Sequence, residues 1–299
     1  MTQIIDIDRY LCTGALIYMS EGIFPKPCQE VKMWYESVLN GGGMWSEYYN
    51  NSKLTISDQK LDYQLPPLSS DNVTPLVIVG GIFENTTNET QNFTSLEIVK
   101  RTSTVTRSST TYGFKTSTKI GSSTTVKAEI PFVGGGETTL SMEFSFETDF
   151  SKTNEIVKTD ETELKIPPQS ITVEPGQKKR LEVELYKVAI PEATFTIDGD
   201  VAGRVYTPQT NEVVVYDFLS KINNRCPGTY ANVDKNLQLD SGKKTLHFKG
   251  EGKAAFEIMA VEYVMRIITL DNKTGATLNE ETAVRQLSRT IEKKSPSLS

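Results

Sequence analysis

Between Tyr112 and Phe150 the chain sorts its side chains by parity. On the first arm Tyr112, Phe114, Ile120, Val126, Ala128, Ile130 and Phe132 are even-numbered, and on the second so are Leu140, Met142, Phe144, Phe146 and Phe150. The charges Lys115, Lys119, Lys127, Glu129, Glu137, Glu143, Glu147 and Asp149 are all odd. A period of two is the signature of a strand, whose successive side chains point to opposite faces. Each arm therefore has one uncharged face and one polar face.

Val133, Gly134, Gly135, Gly136 and Glu137 form the turn between the arms, and Pro131 joins Val133 to Gly136 at the hairpin tip. Pairing Phe132 with Thr138 sets even positions opposite even ones throughout the antiparallel ladder, so both arms turn their apolar faces the same way. The arms then run from Ser122 to Phe132 and from Thr138 to Thr148, close to the roughly 9–11 residues of a tilted membrane-spanning strand. Two readings are open at this point. One is an ordinary amphipathic hairpin covering a sandwich core. In the other the hairpin enters lipid, which requires a closed barrel built from several copies, because an open edge would leave backbone groups unsatisfied in hydrocarbon.

The 299 residues allow two domains or one multi-lobed unit. Lys and Arg number 32 against 38 Asp and Glu, a net charge of −6, so no basic field is available to attract nucleic acid. His247 is the single histidine and alternates with Leu246 and Phe248 like a strand residue, which excludes mechanisms needing two imidazoles. Cys12, Cys28 and Cys226 contain no C-x-x-C pair, and their odd number argues against a disulfide framework; a Cys12–Cys28 bridge is open but not predicted. The amino terminus carries Asp6 and Asp8, and its apolar run from Leu11 to Met19 is short and interrupted, so no signal peptide is read. No window approaches the length of a membrane helix. The Asn-x-Ser/Thr sequons at 50, 72, 85, 88, 92 and 272 receive no functional weight.

Residues 1–75 form an aromatic-rich lobe with a helix expected over Gln29 to Leu39, ended by Gly41 to Gly43. Its cluster of Trp34, Tyr35, Trp45, Tyr48 and Tyr49 either packs a core or presents rings to a receptor. Pro66-Pro67 and the polar run after it mark a boundary near residue 75. Residues 76–272 read as almost entirely β, in long Ser/Thr/Val-rich strands punctuated by Pro175-Gly176, Pro191, Pro208, Pro227-Gly228 and Gly250 to Gly252. The fold class expected is mainly β: an elongated arrangement of long antiparallel strands with a small helix-containing amino-terminal lobe. Residues 273–299 are polar and poor in β signal, with basic protease sites at Lys273, Arg285, Arg289, Lys293 and Lys294.

Catalytic signatures are not found. Asp6-x-Asp8 and Asp198-x-Asp200 read as solvated carboxylates, the second in a glycine-flanked turn, and neither glycine triplet is followed by a Lys-Ser/Thr phosphate cradle. No enzyme activity, metal or cofactor is expected.

Several segments carry a family resemblance. They are Thr102 to Thr111, Tyr112-Gly113, Thr125 to Phe132, Leu140 to Phe146, Ile166 to Pro175, Val183 to Val188, Gly199 to Gly203 and Lys249 to Gly252. In order and spacing, from about Ser95 to Arg266, they resemble the aerolysin-like β-pore-forming toxins, in particular the clostridial epsilon toxin and bacillar mosquitocidal toxin family. The resemblance implies a protoxin that accumulates in the producing bacterium as a crystal or spore-associated form and acts outside it. It implies binding to a target-cell surface receptor, protein or glycan, through the first lobe, and trimming of the tail by a host or gut protease. A homo-oligomeric ring in the target membrane would follow, with Val126, Ala128, Ile130, Phe132, Leu140, Met142, Phe144 and Phe146 facing lipid. Pro131 to Gly136 would lead, and Lys115, Lys119, Lys127, Glu129, Glu143 and Glu147 would line water, where a carboxylate excess favours cations. The alternative is a non-lytic β-rich carbohydrate- or receptor-binding protein of the same fold; a hydrolase ranks third.

Overall fold

The structure is a computed structural model and describes residues 3–20, 27–39, 53–116, 121–131, 139–149, 155–207, 210–227, 235–286 and 288–291. Strand β1 (Gln3–Asp6) leads into helices α1 (Ile7–Ser20) and α2 (Cys28–Leu39). Strands β2 (Lys53–Tyr63), β3 (Val73–Glu84), β4 (Gln91–Thr94) and β5 (Ile98–Lys115) follow. Next come β6 (Gly121–Pro131), β7 (Thr139–Asp149), β8 (Ile156–Ile166) and β9 (Ser170–Val173). The chain then runs through β10 (Gln177–Thr207), β11 (Thr210–Val214), α3 (Val215–Arg225), β12 (Leu237–Asp240) and β13 (Thr245–Asp271). It ends in β14 (Thr277–Gln286) and β15 (Ser288–Ile291). The mainly β expectation holds.

Strands β10 and β13 form the spine. They pair antiparallel from Gln177↔Asp271 to Val201↔Leu246, and the 31 residues of β10 trace about 100 Å of strand at roughly 3.3 Å per residue. The turn that launches β10 follows from its sequence. Gln177 N–H donates to Glu174 O, with Pro175 and Gly176 between them, and Gly176 has φ +72°. Pro at the second position and a left-handed Gly at the third are what a type II turn demands.

Two hydrophobic cores share this spine. Leu181, Val183 and Leu185 of β10 pack with Leu164, Ile166, Ile171 and Val173 in one; Tyr186, Val188 and Ile190 belong to the other. The register between β3 and β10 is unbroken from Glu182↔Val79 to Val188↔Val73, so the switch from odd to even positions puts the two cores on opposite faces of the ribbon. An irregularity between Ile190 and Ala193 then shifts the parity, and Phe195, Ile197, Val201 and Val205 stay in the same core as Ile190.

Several sequence expectations are corrected. The interrupted apolar run in residues 11–19 is part of helix α1, whose Tyr10, Leu11, Ala15 and Ile17 are buried. The stretch read as β after residue 76 contains helix α3, with Val215, Phe218, Leu219 and Ile222 buried at helical spacing. The carboxy-terminal segment is not poor in strand: β14 pairs with β13 from Leu270↔Thr277 to Glu262↔Gln286, and β15 pairs with β8. Glu280, Glu281 and Arg285 on β14 are exposed, and a charged edge strand shows little apolar alternation to read. Cys28 is bonded to Cys226 across 198 residues, while Cys12 is buried and takes no part in that bridge. Asp198 and Asp200 lie inside β10 rather than in a turn, and Asp200 is buried.

Candidate functional site

The parity hairpin exists as β6 and β7, two strands of 11 residues each. Its register runs from Gly121↔Asp149 to Pro131↔Thr139 and includes Val126↔Phe144, Lys127↔Glu143 and Ala128↔Met142. This register sets even positions opposite even ones across the described residues, as the parity predicts. Tyr112, Phe114 and Lys115 stand apart from it at the end of β5, where Lys115 lies 4.0 Å from Asp6.

Burial follows parity. Val126, Ala128, Ile130, Met142, Phe144 and Phe146 are each at most 9% exposed. On the odd face Ser123, Thr125, Lys127, Glu129, Glu143, Ser145 and Glu147 are exposed, and Lys127 pairs with Glu143 at 3.4 Å. Leu140 stands opposite Ile130 in the register. Lys119, Phe132 and the tip residues Val133, Gly134, Gly135 and Gly136 lie outside the described residues, as do Trp45, Tyr48 and Tyr49. Trp34 and Tyr35 are on helix α2. Lys273 is exposed in the turn after β13, Arg285 is on β14 and Arg289 on β15; Lys293 and Lys294 are outside the described residues.

Strands β6 and β7 pair with each other and form a two-stranded sheet apart from the 11-stranded one. They lie across the face of that larger sheet, β6 over β2 and β7 over β13. The contact is aromatic. Phe144 meets Phe256 with ring centroids 4.6 Å apart, and Phe146 meets Phe195 at 5.1 Å and Phe256 at 5.2 Å. Tyr63 stands edge-on to Phe256 at 5.2 Å and to Phe146 at 6.0 Å. Opposite Phe195 in the register is Gly252, where a Cβ would come within 2.3 Å of the Phe195 ring; the missing side chain lets that ring lie over β13. One polar tie joins Ser141 N–H to the Glu262 carboxylate at 3.1 Å.

Sequence reasoning missed the seat beneath the hairpin. Tyr63, Phe195 and Phe256 come from three strands far apart in the chain, and no local pattern links them. A second feature it missed is the polar group around Asp200. Its carboxylate accepts from Lys243 Nζ at 2.6 Å and Thr245 Oγ1 at 3.3 Å, with His247 Nδ1 at 3.1 Å. His247 is a strand residue as expected, and among the described residues no group of His, Cys, Asp and Glu is arranged to hold a metal ion.

Comparison with known proteins follows the same lines. Residues 53–278 match the family model of Clostridium epsilon toxin ETX and Bacillus mosquitocidal toxin MTX2. The chain belongs to this family. The epsilon toxin and mosquitocidal toxin family is one of aerolysin-like β-pore-forming toxins, so the matched span takes in every strand from β2 to β13 and the hairpin with its seat. No curated protein matches the chain in sequence.

Solved structures share the fold of this epsilon-toxin family member. One is the Cry23Aa1 and Cry37Aa1 binary protein complex, at 17% identity and TM-score 0.54, covering 88% of this chain and 98% of that one. A non-toxic crystal protein from Bacillus thuringiensis aligns at 17% identity and TM-score 0.54 over 82% of this chain and 96% of its own. The Mpp75Aa1.1 β-pore-forming protein from Brevibacillus laterosporus aligns at 17% identity and TM-score 0.52 over 97% of this chain and 98% of its own.

Proposed function

We propose that the chain is a protoxin that forms pores by releasing β6 and β7 from the sheet and inserting them into a target membrane. The observation that carries this is the way the hairpin is held. A two-stranded ribbon is marginal on its own, and this one rests on the sheet through its even side chains rather than through a shared backbone ladder. Val126, Ile130, Met142, Phe144 and Phe146 each gain about 1.5–3 kcal/mol from burial. Bilayer hydrocarbon offers the same apolar medium, so the even row loses little by exchanging the seat for lipid. Lys127, Glu129, Glu143 and Glu147 then face the water-filled lumen, with Lys115 and Lys119 nearer its mouth. The carboxylates outnumber the lysines on the odd face of the hairpin, which favours cations.

The steps before insertion are a proposal as well. The first lobe, with Trp34, Tyr35, Trp45, Tyr48 and Tyr49, engages a target-cell receptor. A protease cuts the exposed turn at Lys273, or sites such as Arg285 and Arg289 beyond it. Cutting at Lys273 frees β14 from the Glu262–Leu270 segment of β13, whose backbone edge becomes available to a neighbouring copy in a ring. The protein is released from the producing bacterium and acts extracellularly at that membrane, with no cofactor and no catalysis. The second reading, a non-lytic binding protein, is favoured by one finding: a non-toxic crystal protein shares the fold.

Dye release from receptor-bearing cells or liposomes, before and after mild trypsin treatment, tests the proposal. Release is expected only after trimming, and Phe132→Asp, the last even position before the glycine turn, is expected to abolish it while oligomers still form. Full release by Phe132→Asp would remove the hairpin from the pore wall, and no release by the trimmed wild type despite verified binding would move the function to the non-lytic reading.

A further inference from the structure

The hairpin's seat contains a polar fault. Tyr63 is 8% exposed and stands edge-on to the rings of Phe146 and Phe256, yet among the described residues its hydroxyl has no hydrogen-bond partner. Burial alone pushes that phenol up to about 12. Four residues earlier on β2, Gln59 buries its Oε1, also without a partner among the described residues. Leu61, between them at the same parity, is buried as well, and β2 is the strand over which β6 lies. A hydroxyl or amide removed from water and given no partner costs stability, whereas an apolar group of the same shape there would not.

We propose that Tyr63 and Gln59 are release residues: they keep the docked hairpin less stable than its apolar packing alone would make it, so that lifting β6 and β7 restores water to both groups. On the hairpin side the buried even row is apolar in Val126, Ala128, Ile130, Met142, Phe144 and Phe146, and buried Thr148 is not among the unpartnered groups; the unpartnered atoms belong to β2 and stay behind when the hairpin leaves. Phenylalanine at position 63 would keep both edge-on ring contacts and remove the fault. The inference rests on the insertion reading for its purpose, but the stability of the seat is a property of the soluble protein and is tested there.

Native-state hydrogen exchange on the full soluble chain compares wild type with Tyr63→Phe and, separately, Gln59→Met. Exchange of the β6 and β7 amides is expected to slow roughly tenfold to a hundredfold in Tyr63→Phe, with a smaller slowing in Gln59→Met. Amides of β8 and β9, which pack the other core, are expected to be unchanged. Unchanged or faster exchange of β6 and β7 in both variants overturns the inference. Dye release by trimmed Tyr63→Phe separates it from the pore reading. Release slowed in step with exchange supports both, while slower exchange with release unaltered leaves the seat inference standing and removes the hairpin from the pore.

Discussion

Asp200 is a carboxylate whose side chain is 2% exposed, and the residues around it answer its charge. Since an ionised carboxylate only accepts, the His247 ring must carry its proton on Nδ1 to donate at 3.1 Å. Lys243 reaches Asp200 and also Asp58, at 2.8 Å, where β2 is irregular and Asp58 has φ +51°. Burial raises the Asp200 pKa, but the bonds from Lys243 and His247 outweigh it and hold the group below the usual carboxylate range. A depressed folded value stabilises the protein above the unfolded pKa of about 3.9, and that stability is lost as pH falls through the folded value. Asp200→Asn is therefore expected to cost about 1.5–3 kcal/mol at pH 7 and to converge with wild type as the pH falls through the depressed folded value. Thermal melts across that range check it, and a gap independent of pH would contradict it.

The disulfide joins Cys28 at the start of α2 to Cys226 at the end of α3. It closes a loop of nearly two hundred residues around both cores, so its removal is expected to cost about 2–5 kcal/mol. Cys226→Ser, or reduction of the native protein, should lower the thermal midpoint, and an unchanged midpoint would show that the bridge carries no stability. This element was not legible in the sequence: an odd cysteine count says nothing about which two residues distant in the chain meet. The same holds for the Tyr63, Phe195 and Phe256 seat. The hairpin register was legible because parity and turn length are local, and helix α2 because its periodicity is. Helix α3 carried an equally local period but lies among strands, and β14 hid its strand character behind exposed charges.

Across the whole molecule, two long strands run through two cores on opposite faces, and an amphipathic ribbon lies on one of them by its even row. We propose that this ribbon leaves the sheet and becomes the pore wall with even positions in lipid and odd positions in water. Neighbouring threonines on β6 distinguish the two faces. Thr125 is exposed on the odd face, and Thr124 is half-buried on the even face opposite Phe146. With Cys12 replaced by serine, Thr125→Cys and Thr124→Cys channels in planar bilayers would each be treated with a charged thiol reagent. Conductance is expected to change when Thr125→Cys reacts and to stay constant for Thr124→Cys; no change at either position, or equal change at both, would mean that β6 does not line the pore in this orientation.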